Sequence, residues 1–207
     1  QHMAIAQARC YVEESYTHVV DIDLSKFFDR VNHDRLMHRL TTRIRDKRVL
    51  KIIHAYLRSG VMVGDIIVKP GEGTPQGGPL SPLLANIVLD ELDKELEKRG
   101  LRFVRYADDV AIYVRSQKAA ERVKRSVSRF ITSKLKLVVN EEKSKVTRPW
   151  HSKYLGFRIT KFMGRTRIGV HEKSLRRFKY RIREITRRKR GRSLKFIVWE
   201  LNQFLRG

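Results

Sequence analysis

Two pairs of carboxylates in this sequence are spaced in a way that ordinary surface chemistry does not require. Asp21 and Asp23 stand two apart in Val19-Val20-Asp21-Ile22-Asp23-Leu24, a spacing that puts both on one face of a strand. Asp108 and Asp109 are adjacent in Tyr106-Ala107-Asp108-Asp109, at a bend between apolar segments. Adjacent carboxylates repel, and a turn chosen for stability alone would prefer Asn-Gly or Asp-Gly. Each pair also has a plainer reading: a solvated acidic turn, or an exposed strand end paired with nearby Lys and Arg. Brought together, the two pairs would make a hard oxygen site for Mg²⁺, with Mn²⁺ as a possible substitute. Two such ions about 4 Å apart activate an attacking hydroxyl and stabilise a leaving pyrophosphate. That is phosphoryl-transfer chemistry.

The elements that must position these acids follow from periodicity and caps. A short helix is predicted over 4–15 and a strand from Thr17 to Leu24. Asn32 caps a helix through Leu36 and Leu40, a second helix spans Lys47 to Leu57, and Gly60 to Val68 reads as an extended hairpin. A glycine-rich loop ends at Pro79. Ser81 as cap and Pro82 at the first helical position then start a long helix that Gly100 stops. Phe103 to Val114 forms the strand pair around the Asp108-Asp109 bend. A basic amphipathic helix follows from Ala119 to Ser133, a short strand lies at Leu137 to Val139, and a hairpin from Tyr154 to Val170 turns near Gly164. The rest is helical, with Leu175, Phe178, Ile182 and Trp199 expected to pack internally.

The partner is read from charge. The 207 residues carry 46 Lys plus Arg against 22 Asp plus Glu, a net charge of +24, while a hydrophobic fraction of 41% is ordinary for a folded chain. Such an excess attracts polyanions and releases counterions from a phosphate backbone. An acidic membrane is the rival partner, but it calls for an amphipathic anchor or lipidation signal, and none is evident. The one cysteine, Cys10, excludes a disulfide framework and a thiolate zinc site. With no long apolar run and no secretory leader in view, the expected location is cytoplasmic. From His151 onward only Glu172, Glu184 and Glu200 oppose a long run of Lys and Arg. The shift sets a boundary near residue 170 between a mixed body, 1–170, and a basic helical appendage, 171–207.

Four segments, in order, resemble the palm motifs of reverse transcriptases, closest in detail to group II intron-encoded proteins. They are Val20 to Asp29, Gly73 to Pro82, Tyr106-Ala107-Asp108-Asp109, and Asn140-Glu141-Glu142-Lys143 continuing to Tyr154-Leu155-Gly156-Phe157. The resemblance implies an α+β fold: a polymerase-type palm with an antiparallel sheet backed by helices, followed by a helical thumb segment. It implies RNA-directed DNA synthesis by two-metal nucleotidyl transfer, with roles in intron RNA splicing and mobility expected of the parent. The implied partners are an RNA template, intron RNA, a DNA primer or target, and dNTPs.

The resemblance also assigns roles. Asp23 and Asp108 match metal-binding catalytic acids and Asp109 their companion; Asp21 stays outside the set. Phe28 matches an aromatic that would clash with a ribose 2′-hydroxyl and so favour dNTPs, with Phe27 pointing the other way into the core. Gln76 and Gly77 fit close backbone approach to the nucleotide, and Lys143 a place near its triphosphate, against the plainer readings of a loop and one exposed lysine. Tyr154, Leu155 and Gly156 match the hairpin that grips a primer end, and Arg176, Arg177 and Lys179 would line the duplex. An N-terminal fingers region, part of the nucleotide pocket in such enzymes, is expected in the parent protein. A different reading, an RNA-binding splicing cofactor on a non-catalytic palm scaffold, could lose the carboxylate set, which is complete here in Asp23, Asp108 and Asp109; a general basic nucleic-acid-binding module gives no reason for the acids at all.

Overall fold

The computed structural model describes residues 2–58, 61–63, 66–68, 73, 80–162, 164–188 and 191–206. In chain order the elements are α1 (His2–Glu13), β1 (His18–Ile22), a 3₁₀ turn (Phe27–Arg30), α2 (His33–Thr41), α3 (Lys47–Arg58), β2 (Val61–Val63), β3 (Ile66–Val68) and α4 (Ser81–Lys98). There follow β4 (Arg102–Tyr106), β5 (Asp109–Val114), α5 (Gln117–Phe130), β6 (Lys145–Thr147), β7 (Phe157–Phe162), β8 (Arg165–Val170), α6 (Glu172–Ile185) and α7 (Leu194–Arg206). An antiparallel sheet in the order β4-β5-β1-β6 is the centre of this α+β arrangement.

Strand alternation gives the sheet two apolar faces. Val20, Ile22, Val110, Ile112 and Val114 pack with Leu36 of α2, Leu84, Leu89 and Leu92 of α4, and Val123 and Val127 of α5 in one buried core. On the opposite face Val19, Val104, Ala111 and Tyr113 meet Ile5, Ala8 and Val12 of α1 and Ile159 of β7. Burying both faces explains why β5 is apolar from Val110 to Val114 rather than alternating. The acids sit where this covered sheet runs out.

Three expectations need correction. The strand placed at Leu137 to Val139 is only a single bridge, Leu24 to Val139; the fourth strand is Lys145–Thr147, whose three residues are too few to show alternation. Ser81 is not the cap of α4 but its first residue. Leu80 stands at the cap position, and the buried Ser81 hydroxyl lies 3.2 Å from that of Tyr56. In α6 and α7, Leu175 and Phe178 are about 40% exposed and Trp199 more than half exposed, so they are not internal. The two helices meet along a narrow line, with the rings of Phe178 and Phe204 stacked at 5.7 Å and Arg181 facing Glu200 at 3.8 Å. Among the described residues no helix is long and apolar enough to cross a membrane.

Candidate active site

The register of β1 on β5 pairs Asp21 with Ala111 and Ile22 with Val110. One further step in that register sets Asp23 opposite Asp109, on the same face. Asp108 lies in the two-residue turn between Tyr106 and Asp109, which pair across β4 and β5. The turn needs a left-handed residue, and Ala107 takes that conformation at φ 55°, at a steric cost of about 1–2 kcal/mol. Arg105 braces it. Its guanidinium donates to Asp93 at 2.7 and 2.5 Å, to Asn86 at 2.8 Å and to the Ala107 carbonyl at 2.9 Å, so α4 holds the acidic turn in place.

Asp23 is fixed by its backbone. Its N–H donates to the Ser144 hydroxyl at 3.0 Å, and its carbonyl accepts from the Asn140 N–H at 2.9 Å. Asn140 in turn caps the turn that carries Lys143, accepting from the Lys143 N–H at 3.2 Å. The segment Asn140 to Lys143 is therefore the clamp on Asp23 as well as the carrier of a cation beside it. Sequence reasoning missed Ser144, a buried serine among charged neighbours with no periodic signal.

Asp21, Asp23 and Asp109 line one side of a crevice of about 600 Å³, faced by Lys143, Lys145, Lys153, Lys173, His151 and His171, with Tyr154 in the wall. Loss of water around Asp109, then the charges of Asp108 and Asp23, push its carboxyl above the usual range. Asp21 is pushed up to about 6, mainly by burial, although the Ser152 hydroxyl donates to it at 2.9 Å. His171 is lowered by partial burial and by the charges of Lys153 and Lys173. Lys145, Lys153, Lys173 and the two histidines were not singled out in the sequence. They come from three segments, β6, the loop before β7 and the start of α6, and only the fold converges them.

The acids differ from four carboxylates of α4 close by in the fold. Asp90, Glu91, Asp93 and Glu95 all make salt bridges, but the side chains of Asp23, Asp108 and Asp109 make no hydrogen bond or salt bridge among the described residues. Unpaired, mutually repelling oxygens on so basic a protein fit a divalent cation. Among the described residues no group of three ligand-type side chains closes into a metal cage. The set is an open edge, which suits Mg²⁺, an ion that keeps water and substrate phosphates among its ligands.

The remaining expected residues are placed unevenly. Gln76 and Gly77 lie outside the described residues. Phe28 is not on an extended segment but in the 3₁₀ turn, where its ring meets Phe27 edge-on at 5.2 Å. Phe27 is buried, and Phe28 packs at the margin of the same core and is not among the residues that line the crevice. Tyr154 is buried in the crevice, burial and the nearby Asp109 raise its phenol, and its hydroxyl has no partner among the described residues. Leu155 and Gly156 form a tight turn with φ of 50° and 86°, and the Gly156 carbonyl accepts from the His171 N–H at 2.9 Å. That bond ties the start of α6 to the crevice. As a result α6 delivers Lys173 there, while Arg176, Arg177 and Lys179 are exposed further along the helix.

Comparison with known proteins identifies the family. The family model described as reverse transcriptase (RNA-dependent DNA polymerase) matches residues 2–159. Protein YkfC of Escherichia coli strain K12 is 30% identical over 162 residues, covering 62% of this chain and 42% of its own length. The group II intron-encoded protein LtrA of Lactococcus lactis is 34% identical over 134 residues, covering 65% of this chain and 21% of its own. The chain thus spans less than half the length of these relatives. The structure of apo telomerase from Candida tropicalis superposes with a TM-score of 0.62 at 16% identity, over 80% of this chain and 36% of that one, which shows a shared fold. Reverse transcriptases as a family use divalent metal ions. With its carboxylate-edged palm sheet and a family match over most of its length, the chain belongs to the reverse transcriptase (RNA-dependent DNA polymerase) family.

Proposed function

We propose that this chain is the palm and the start of the thumb of a group II intron-encoded reverse transcriptase, which adds dNTPs to a primer on an RNA template. The observation that carries the reading is a set of unpaired acids beside cations: Asp23 and Asp109 line the crevice with its lysines, and Asp108 is next to Asp109 in the adjoining turn, close enough for their charges to interact. Similarity to LtrA supports the intron class. In the whole protein an N-terminal fingers region completes the nucleotide pocket, and intron RNA is a further partner.

In this reading Asp23 and Asp108 hold Mg²⁺, with Asp109 beside them. Bound there, the metal would lower the pKa of the primer 3′-hydroxyl and neutralise charge on the phosphates. The chain's own residues supply the rest. Arg105 and Ser144 keep the acids in register, one through the Ala107 carbonyl and one through the Asp23 N–H. Lys143, Lys145, Lys153 and Lys173 attract the triphosphate and the leaving pyrophosphate. Phe28 discriminates against the ribose 2′-hydroxyl, Gln76 and Gly77 approach the base pair, and Tyr154 to Gly156 hold the primer end.

Primer extension on an RNA template, with dNTPs and Mg²⁺, tests this on the chain joined to a fingers region. Extension that disappears in Asp108→Ala supports the reading. Tight RNA binding without any extension would overturn it in favour of a splicing cofactor.

A further inference from the structure

Helix α5 has an arrangement that the nucleotide-joining site does not use. Its buried residues Ala120, Val123 and Val127 face the sheet. At 100° per residue, Lys118, Arg122, Arg125 and Arg129 fall within an arc of about 60° on the opposite side and extend over about 16 Å. All four are exposed, and none of their side chains makes a hydrogen bond or salt bridge among the described residues. The helix has one acid, Glu121, and the Gln117 side-chain amide donates to it at 2.9 Å. A face kept only for solubility mixes both signs. This one does not.

The surface is also shaped. A hollow of about 290 Å³ is lined by Ser116, Lys118, Ala119, Arg122 and Arg125. The Cβ atoms of successive residues in the stripe are about 5–6 Å apart, so their charged groups form one continuous row.

We infer that this stripe is a second nucleic-acid surface, which takes the phosphate backbone of a double-helical RNA segment independently of the primer and template. Position argues for independence: α5 covers the sheet face of Val20 and Ile112, whereas Asp21, Asp23 and Asp109 are on the other. A duplex seated at the acids therefore has the sheet and a helix between it and the stripe. Chemistry argues for a backbone: no exposed aromatic interleaves the four cations, so single-stranded bases have nothing to stack on. A membrane fits poorly, because an interfacial helix needs its apolar face free and that of α5 is spent in the core.

The test uses the full chain and a labelled, blunt-ended RNA duplex of two helical turns, with binding followed by anisotropy across a salt series. Lys118, Arg122, Arg125 and Arg129 are all replaced by Gln, a residue of similar helix propensity, with circular dichroism confirming the fold. A companion carries Arg122→Lys, Arg125→Lys and Arg129→Lys, which preserves charge. The expected result is at least a tenfold loss of affinity near physiological salt and a salt slope shallower by about 3–4 in the Gln variant, with the Lys variant close to the parent. A slope change smaller than about 2 in a folded Gln variant would overturn the inference. So would loss of binding to phosphatidylserine vesicles with duplex affinity unchanged, which would make the stripe a membrane contact. Neither readout requires catalysis, so the result stands apart from that of primer extension.

Discussion

The hydroxyl of Ser144 accepts the backbone N–H of Asp23 at 3.0 Å, across 121 residues of sequence. Two motifs far apart in the chain are therefore one mechanical unit, in which the segment that presents Lys143 also fixes the first acid. Ser144→Ala leaves the Asp23 N–H without that partner and should cost about 1–3 kcal/mol. Urea unfolding measures the loss. Because Asp23 is displaced, nucleotide incorporation should fall by more than the stability change alone explains.

Arg105 makes the same argument for the other acids. Its side chain is 12% exposed and that of its partner Asp93 23%, so the pair is well shielded from solvent. Arg105→Lys keeps the charge but loses the forked contact to Asp93 and the bond to Ala107. A stability loss of about 1–3 kcal/mol is expected, with kcat for incorporation reduced and KM for dNTP little changed. Steady-state kinetics on a fixed primer and template separate the two parameters.

Asp21 carries a pH signature. Burial raises its carboxyl from 3.8 to about 6, so the fold favours the neutral form. The penalty for ionising it is absent below the unfolded value, grows as pH rises between the two, and is complete above the folded value. Asp21→Asn should therefore stabilise the protein by up to about 3 kcal/mol at neutral pH and by little near pH 4. Unfolding free energies of parent and variant across that range check the sign. Equal differences at every pH would contradict it.

Gly73 closes on the 3₁₀ turn beside Phe28. It has φ of +98°, and a Cβ there would lie 2.9 Å from the Asp29 backbone. Its N–H donates to the Val31 carbonyl at 2.8 Å and its carbonyl contacts the His33 ring. Gly73→Ala should destabilise by at least about 1–3 kcal/mol, both from the left-handed backbone and from the clash. Thermal unfolding reports it directly.

The sheet strands and the acids were legible in the sequence because their signals are local. Asp21 and Asp23 alternate with valine and isoleucine, and Asp108-Asp109 interrupts an apolar strand pair. The crevice cations were not, because Lys145, Lys153 and Lys173 look like any other lysine in a chain of +24 until topology converges them. Strand β6 is three residues long and has no period to read. Phe27 and Phe28 were read as neighbours on an extended segment; they lie in a 3₁₀ turn instead, with Phe27 buried as expected and Phe28 at the margin of the same core. In α6 and α7 the apolar spacing correctly gave helices. It could not show how much of Trp199 and Phe178 the neighbouring helix leaves uncovered.

The most direct test of the central claim is the single-turnover rate of adding one dNTP to a primer on an RNA template, in parent and Asp108→Asn protein joined to fingers. Asparagine keeps the size of the side chain and removes its charge. A loss of about a thousandfold or more with template affinity retained is the predicted result, since a metal ligand acts in the transition state rather than in binding. A rate within about threefold of the parent would mean that the open carboxylate edge is not where nucleotides are joined.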